Sequence, residues 1–306
     1  VTGGAGFIGS HIIGRILKDQ DNVVVVDNLI TGNLQNLKKY FEHNNFKFID
    51  HDIQKEIFFE ENIDFVIHLA SCASPKAYSQ YPINTLKSGS IGTINALGIA
   101  KKHKAKFFLA STSEIYGDPE VSPQDENYWG NVNTLGPRSM YDESKRFAES
   151  ATQAYITTHG LHANIARIFN TYGPNMQIDD GRVVTNFIYQ ALNDHDITIY
   201  GNGEQTRSFS YIDDTVDGLF RVINHDKSDV FNIGSDHEIT ILNLAERIIK
   251  LINSNSKLIF KELPENDPKQ RKPDLTKARK VLNYNPRFNL DEGLMITIDW
   301  ISKNYK

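Results

Sequence analysis

The chain has 306 residues, 40% of them hydrophobic and 23% charged, with a net charge of -5. That is enough apolar material for one or two substantial cores, and no basic balance marks a nucleic-acid binder. A single cysteine, Cys72, excludes an internal disulfide and a cysteine metal cluster, the ten histidines show no spaced ligand pattern, and no apolar run approaches the roughly 18 residues of a membrane span.

The chain opens on VTGGAGFIG, which reads as the end of a strand running into a loop. Residues upstream of Val1 are therefore expected, and no signal peptide is visible. Gly3, Gly6 and Gly9 allow a tight turn and a close backbone approach to a pyrophosphate, and a helix over 10–18 would bring its N-terminus to the same place. A β-branched run over 23–26 then ends in Asp27, 18 residues after Gly9. A carboxylate there accepts hydrogen bonds from a ribose 2′-hydroxyl and repels a 2′-phosphate, so the expected cofactor is NAD rather than NADP.

Further candidate strands cover 46–49, 64–70, 107–110 and 163–169, with helices over 83–102 and 141–158. This alternation predicts an α/β fold, a Rossmann-type doubly wound parallel sheet covered on both faces. After Asn170 the alternation loosens, with Gly, Pro and Asn punctuating 171–175 and 200–203. Helical patterns return at 183–192, 239–252 and 290–301. Residues 1–170 are expected to form the NAD-binding domain, joined again by a segment near 208–234. Residues 171–306 then form mainly a smaller substrate-binding lobe.

The strand over 107–110 runs into STSEIYG at 111–117. Three hydroxyls and a carboxylate there are either a polar loop or a catalytic wall at the carboxyl rim of the sheet. Tyr141 and Lys145 are four apart on a predicted helix and so share a face. An ammonium beside a phenol stabilises phenolate and lowers its pKa from about 10, which makes tyrosine a usable base near neutral pH. Their place, one strand-to-helix step beyond Ser111 to Glu114, favours the catalytic reading over an exposed helix pair.

Together these motifs resemble the extended short-chain dehydrogenase/reductases that act on nucleotide sugars, and among them most closely the UDP-glucuronate decarboxylases, or UDP-xylose synthases. The likeness runs through HLASCASPKAY at 68–78, YWGNVNTLGPRSMYDESKR at 128–146, RIFNTYGP at 167–174, DGRVVTNF at 180–187, YGNGEQTRSF at 200–209 and DPKQRKPD at 267–274. Ser71-Cys72 replaces the usual Cys-Pro and Thr134-Leu135 the usual Pro-Ile, at no residue with a chemical role. Sugar 4,6-dehydratases carry an Asp-Glu pair after the strand; here position 113 is Ser and Glu114 stands alone, as in the decarboxylases.

The resemblance implies roles. Tyr141, Lys145, Glu114, Thr112 and Arg271 would be catalytic, with Thr112 at the sugar 4-hydroxyl and Glu114 ordering the ring and water near C5. NAD would lie against Gly3, Gly6, Phe7, Ile8, Gly9, Asp27, Asn28, Thr31, Gly32, Asp52, Ile53 and Leu69, with Tyr141 and Lys145. The UDP-sugar would meet Tyr78, Asn170, Arg182, Val184, Asn186, Tyr200, Gln205, Arg207 and Arg271. Guanidinium groups suit both its diphosphate and its uronic carboxylate. Arg182 and Arg207 are assigned to the diphosphate region and Arg271 to the carboxylate.

The implied activity is NAD-dependent decarboxylation of UDP-glucuronate to UDP-xylose through a 4-keto intermediate. The alternatives are an enzyme that releases the 4-keto pentose or also makes apiose, and a catalytically silent NAD-binding regulator. A homodimer through the helices at 83–102 and 141–158 is expected, with no nucleic-acid partner, no metal and no membrane segment in this chain. The expected compartment is the cytoplasm, with a Golgi-lumenal form bearing an N-terminal anchor as the other possibility.

Overall fold

The structure is a computed structural model, and it describes residues 1–263 and 270–305. Four consecutive valines resist helix because their χ1 freedom is lost there, and they form the strand Val23–Asp27. It pairs in parallel with Phe46–Asp50. On its other side residues 1–3 fill the central strand position. Thr2 bridges both Val26 and His68, the Thr2 N–H donates to the Ile67 carbonyl at 2.9 Å, and the Gly3 N–H donates to Val26 at 2.9 Å. Beyond lie Phe65–His68, Lys106–Thr112, Ala163–Ile168 and Val230–Ile233, each parallel to its neighbour. The last strand comes from the second half of the chain, so the sheet closes on a segment distant in sequence.

Side chains alternate across a strand, which gives the sheet two apolar faces. Phe108 and Ala110 pack with Ile12 of the helix Phe7–Lys18 and Leu219 of the helix Ile212–Ile223. Phe107 and Leu109 pack on the other face with Ala96 and Leu97 of Thr93–His103 and Ala148 and Ala151 of Ser139–His159. A separate core joins Val183–Leu192, Ile241–Ile252 and Leu290–Asn304 around the parallel pair Ile197–Tyr200 and Leu258–Lys261. Beside it Thr206–Ser208 is flanked by Glu238–Thr240 and Gln270–Arg271, in a register that sets Arg271 directly opposite Arg207.

The predicted helix over 83–102 is broken into Pro82–Lys87, a π-turn at Ser88–Gly92, and Thr93–His103. Gly89 lies in that turn and packs closely on Ser139–His159: a Cβ on it would lie 2.6 Å from the Ser144 Cβ. The strand over 64–70 is shorter than expected and the one over 107–110 longer, reaching Thr112. The helix expected over 239–252 begins only at Ile241, because 238–240 pair with 206–208. Ile212–Ile223, which the apolar pattern leaves unassigned, is a full helix. Among the described residues no helix is long and apolar enough to cross a membrane.

Candidate active site

The carboxyl ends of the parallel strands open onto one cavity of about 710 Å³. Its floor is the glycine loop. Gly3 has φ +73, and a Cβ on it would lie 2.6 Å from the Ala70 nitrogen; one on Gly9 would lie 2.4 Å from the Gly3 carbonyl oxygen. Only glycine allows this turn to close and the helix Phe7–Lys18 to start against it. That helix has Gly6 at its N-cap and no side chain capping it, so its first N–H groups and positive dipole end face the loop. This is the cradle a diphosphate requires.

Asp27 stands at the end of its strand, 9% exposed. Its carboxylate accepts hydrogen bonds from the Ala5 and Leu29 N–H groups, each at 2.9 Å. Burial pushes its pKa up despite those bonds. Gly32 packs against this carboxylate, and Phe7, Ile8, Asn28, Thr31, Asp52, Ile53 and Leu69 line the same end of the cavity. A glycine cradle, an uncapped helix end and a strand-end carboxylate together fit a dinucleotide bearing a free ribose hydroxyl.

At the next part of the rim, Lys106–Thr112 ends in a 3₁₀ turn, Ser113–Tyr116, whose N-cap is Thr112; its hydroxyl accepts from the Glu114 N–H at 3.2 Å. Thr112 and Tyr141 line the same part of the cavity. Tyr141 is buried and its ring stacks on Tyr78, with centroids 5.3 Å apart and planes at 15°. Lys145 Nζ lies 6.0 Å from the Tyr141 ring centroid and donates to the Ala110 carbonyl at 2.8 Å. The expectation that Lys145 depresses the tyrosine pKa is not met. Burial pushes the Tyr141 phenol well above its ordinary value, and the nearby Thr112 only partly opposes this. The physical reason is dehydration, with the ammonium tied to a strand carbonyl. Burial likewise pulls Lys145 down to about 8, with Glu149 acting in the opposite sense.

Glu114 is the centre of a charged cluster. Its Oε1 pairs with Arg271 Nη1 and its Oε2 with Arg138 Nη2. Burial alone would raise the Glu114 carboxyl, but Arg271 and Arg138 outweigh it and hold the group below the usual carboxylate range. Arg271 is 3% exposed and its Nε is a buried donor without a hydrogen-bond partner among the described residues. Arg182 donates to the Ala73 carbonyl at 3.0 Å and pairs with Asp180 at 3.2 Å. Arg207 is buried and donates to its neighbour's carbonyl at Thr206, 2.9 Å away. Gln205 reaches the Tyr200 carbonyl at 2.7 Å. With Asn170, Val184 and Asn186 they line the lobe side of the same cavity.

Every residue singled out from the sequence thus lines this one space. In the segment 267–274, residues 267–269 lie outside the described residues. Sequence reasoning gave no role to Arg138, three residues before Tyr141 and the second cation on Glu114; its place beside the Tyr-Lys motif was the available signal. It also passed over Asp142, buried at 6% exposure and pushed up to about 7 by burial and by the Glu114 charge.

A family model described as GDP-mannose 4,6 dehydratase matches residues 1–297. UDP-glucuronic acid decarboxylase 1 of Xenopus tropicalis is 47% identical over 303 residues, covering 99% of this chain and 72% of that protein. Among solved structures, UDP-glucose 4-epimerase of Thermotoga maritima, determined with UDP-glucose, superposes with a TM-score of 0.92 at 29% identity, covering 100% of this chain and 98% of that one. UDP-glucuronic acid 4-epimerase of Bacillus cereus, determined with UDP-glucuronic acid and NAD, gives 0.88 at 28% identity, covering 99% and 98%.

Proposed function

The chain belongs to the GDP-mannose 4,6 dehydratase family of extended short-chain dehydrogenase/reductases and, within it, to the UDP-glucuronic acid decarboxylases; from that premise we propose that it converts UDP-glucuronate to UDP-xylose and carbon dioxide with NAD regenerated in each cycle. The observation that carries the reading is Glu114, alone on the strand-end turn and clamped by two arginines, in the same cavity as Tyr141, Thr112 and the glycine cradle.

NAD, when bound, supplies a hydride acceptor for C4 and returns that hydride at the end. Tyr141, as phenolate, takes the proton of the 4-hydroxyl during oxidation and gives it back on reduction; burial raises the free phenol, so the positive charge of Lys145, one turn along the helix, is what favours the phenolate. The resulting 4-keto uronic acid has its carboxylate β to a carbonyl, so carbon dioxide leaves with the electron pair passing into the enolate. Arg271 and Arg138 fix Glu114, which orders the water that reprotonates C5. Arg182 and Arg207 bind the diphosphate, and Arg271 the uronic carboxylate.

Residues 1–170 with the returning 208–234 segment act as the cofactor half, and the remainder holds the UDP-sugar. The protein works as a homodimer, which accounts for the exposure of Ile83, Leu86, Ile91, Ile94 and Phe147 on the helices that would form its face.

Incubation with UDP-glucuronate and substoichiometric NAD+, followed by mass analysis, tests the reading. UDP-xylose without accumulation of NADH is expected. A product that keeps its carboxyl group, or a stable keto sugar formed mole for mole with NADH, overturns it.

A further inference from the structure

Arg271 reaches Glu114 from a strand of only two residues, Gln270–Arg271, so a short ladder alone does not fix where its guanidinium lies. The chain just beyond it is gripped by one fully buried residue, Gln124. The Gln124 N–H donates to the Lys272 carbonyl at 2.8 Å, and the Lys272 N–H donates to Gln124 Oε1 at 2.9 Å. Both main-chain polar groups of the residue after Arg271 are thus held by a single amino acid. The Asp274 N–H donates to the Gln124 carbonyl at 2.7 Å, and Gln124 Nε2 donates to the Val121 carbonyl at 2.6 Å. The other half of the ion pair is tied to the same place. Asn232, fully buried on Val230–Ile233, donates from Nδ2 to the Gln124 carbonyl at 2.9 Å and to the Asp274 carbonyl at 3.3 Å. Its Oδ1 accepts from the Tyr116 hydroxyl at 2.8 Å. Tyr116 ends the Ser113–Tyr116 turn that carries Glu114. One amide on the sheet therefore references both the Glu114 segment and the Arg271 segment.

We propose that Gln124, with Asn232, is a positioning residue for the Arg271–Glu114 pair, and through that pair serves the steps at C5 and C6 rather than the oxidation at C4. Neither Gln124 nor Asn232 lines the cavity, so their effect on chemistry passes through the residues they hold. Both side chains are neutral amides with donors and acceptors committed to the main chain or to Tyr116, so neither competes with Glu114 for Arg271. Tyr141 and Lys145 sit on Ser139–His159, which none of these hydrogen bonds reaches. A buried glutamine that bridges two loops would serve a purely structural strut as well, so the test has to read Arg271 and the step it acts in.

This inference rests on the decarboxylase reading, but its first test does not require turnover. NMR of the whole protein labelled in arginine, with the Arg271 guanidinium signal assigned from Arg271→His, reports how that group is held. Gln124→Met keeps the volume but removes the side-chain amide, and is expected to shift or broaden the signal. Tyr116→Phe removes one hydroxyl, cuts the tie on the Glu114 side, and is expected to do the same. An unmoved signal in Gln124→Met or, should that variant fail to fold, in Tyr116→Phe overturns the proposal. In single turnovers these variants should form NADH at close to the parent rate. Its later reoxidation should slow by about ten- to a hundredfold, the scale expected when a catalytic group is misplaced by about 1 Å. The double variant Gln124→Met/Arg271→His should be no slower than Arg271→His alone, because a residue that acts through Arg271 adds nothing once Arg271 is gone. Losses that multiply in the double variant, or equal slowing of both phases in the single one, overturn the proposal. A moved Arg271 signal in a protein that does not decarboxylate UDP-glucuronate would support the positioning while refuting the assigned reaction.

Discussion

Tyr141 and Arg271 differ in what they touch, and that difference is measurable. Tyr141 lines the cavity with Thr112 and, in the proposed reaction, takes the 4-hydroxyl proton; Arg271 is bound to Glu114. Tyr141→Phe should therefore form no NADH while still binding UDP-glucuronate. Arg271→His leaves the Tyr141, Thr112 and Lys145 set intact but weakens the clamp on Glu114. Loss of one well-placed charged donor in a dry site slows a step by about 10²–10³, so this variant should lose more after oxidation than before it. Rapid quench with deuterium at C4, read beside NADH absorbance, separates the steps. Equal loss of NADH formation in both variants, with binding intact, would end this division of labour.

At the scale of elements, the strand–loop–helix unit that starts the chain makes two predictions. Gly9→Ala would drive a Cβ to 2.4 Å from the Gly3 carbonyl, a contact with backbone that no rotamer relieves. Overpacking of that kind costs about 1–3 kcal/mol, and the displaced loop should weaken NAD binding as well. Thermal melts with and without NAD would show both losses; an unchanged NAD affinity would mean that the loop is not the cradle. The following strand delivers Asp27, already holding two backbone N–H groups, to the rim. NAD should bind far more tightly than NADP, because a 2′-phosphate would face that carboxylate. Calorimetric titration giving equal affinities would remove Asp27 from the ribose site. The π-turn at Ser88–Gly92 lies where Gly89 presses against Ser144, fifty-odd residues away in sequence.

For the molecule as a whole, burying Asp142 beside the Glu114 cluster makes stability depend on pH. Its folded pKa is pushed up to about 7 from 3.8, so between those values the folded state keeps a proton that the unfolded chain has released. That carboxyl therefore erodes stability as pH climbs through the window, and the penalty is constant above it. Asp142→Asn should raise the melting temperature by several degrees at pH 8 and by little near pH 4; a shift equal at both pH values would contradict the sign worked out here. The same whole-molecule view separates what was legible in the sequence from what was not. The parallel α/β fold, the glycine loop, Asp27 and the Tyr141 and Lys145 pair follow from local rules, because strand alternation, glycine's missing Cβ and a four-residue helical spacing act within a few residues of chain. The register that sets Arg271 against Arg207 and the capture of Glu114 by both Arg138 and Arg271 come from segments up to 157 residues apart. Even the state of Tyr141 belongs to that second group: spacing places an ammonium near it, but burial, which exists only once the chain has packed, decides that its pKa rises.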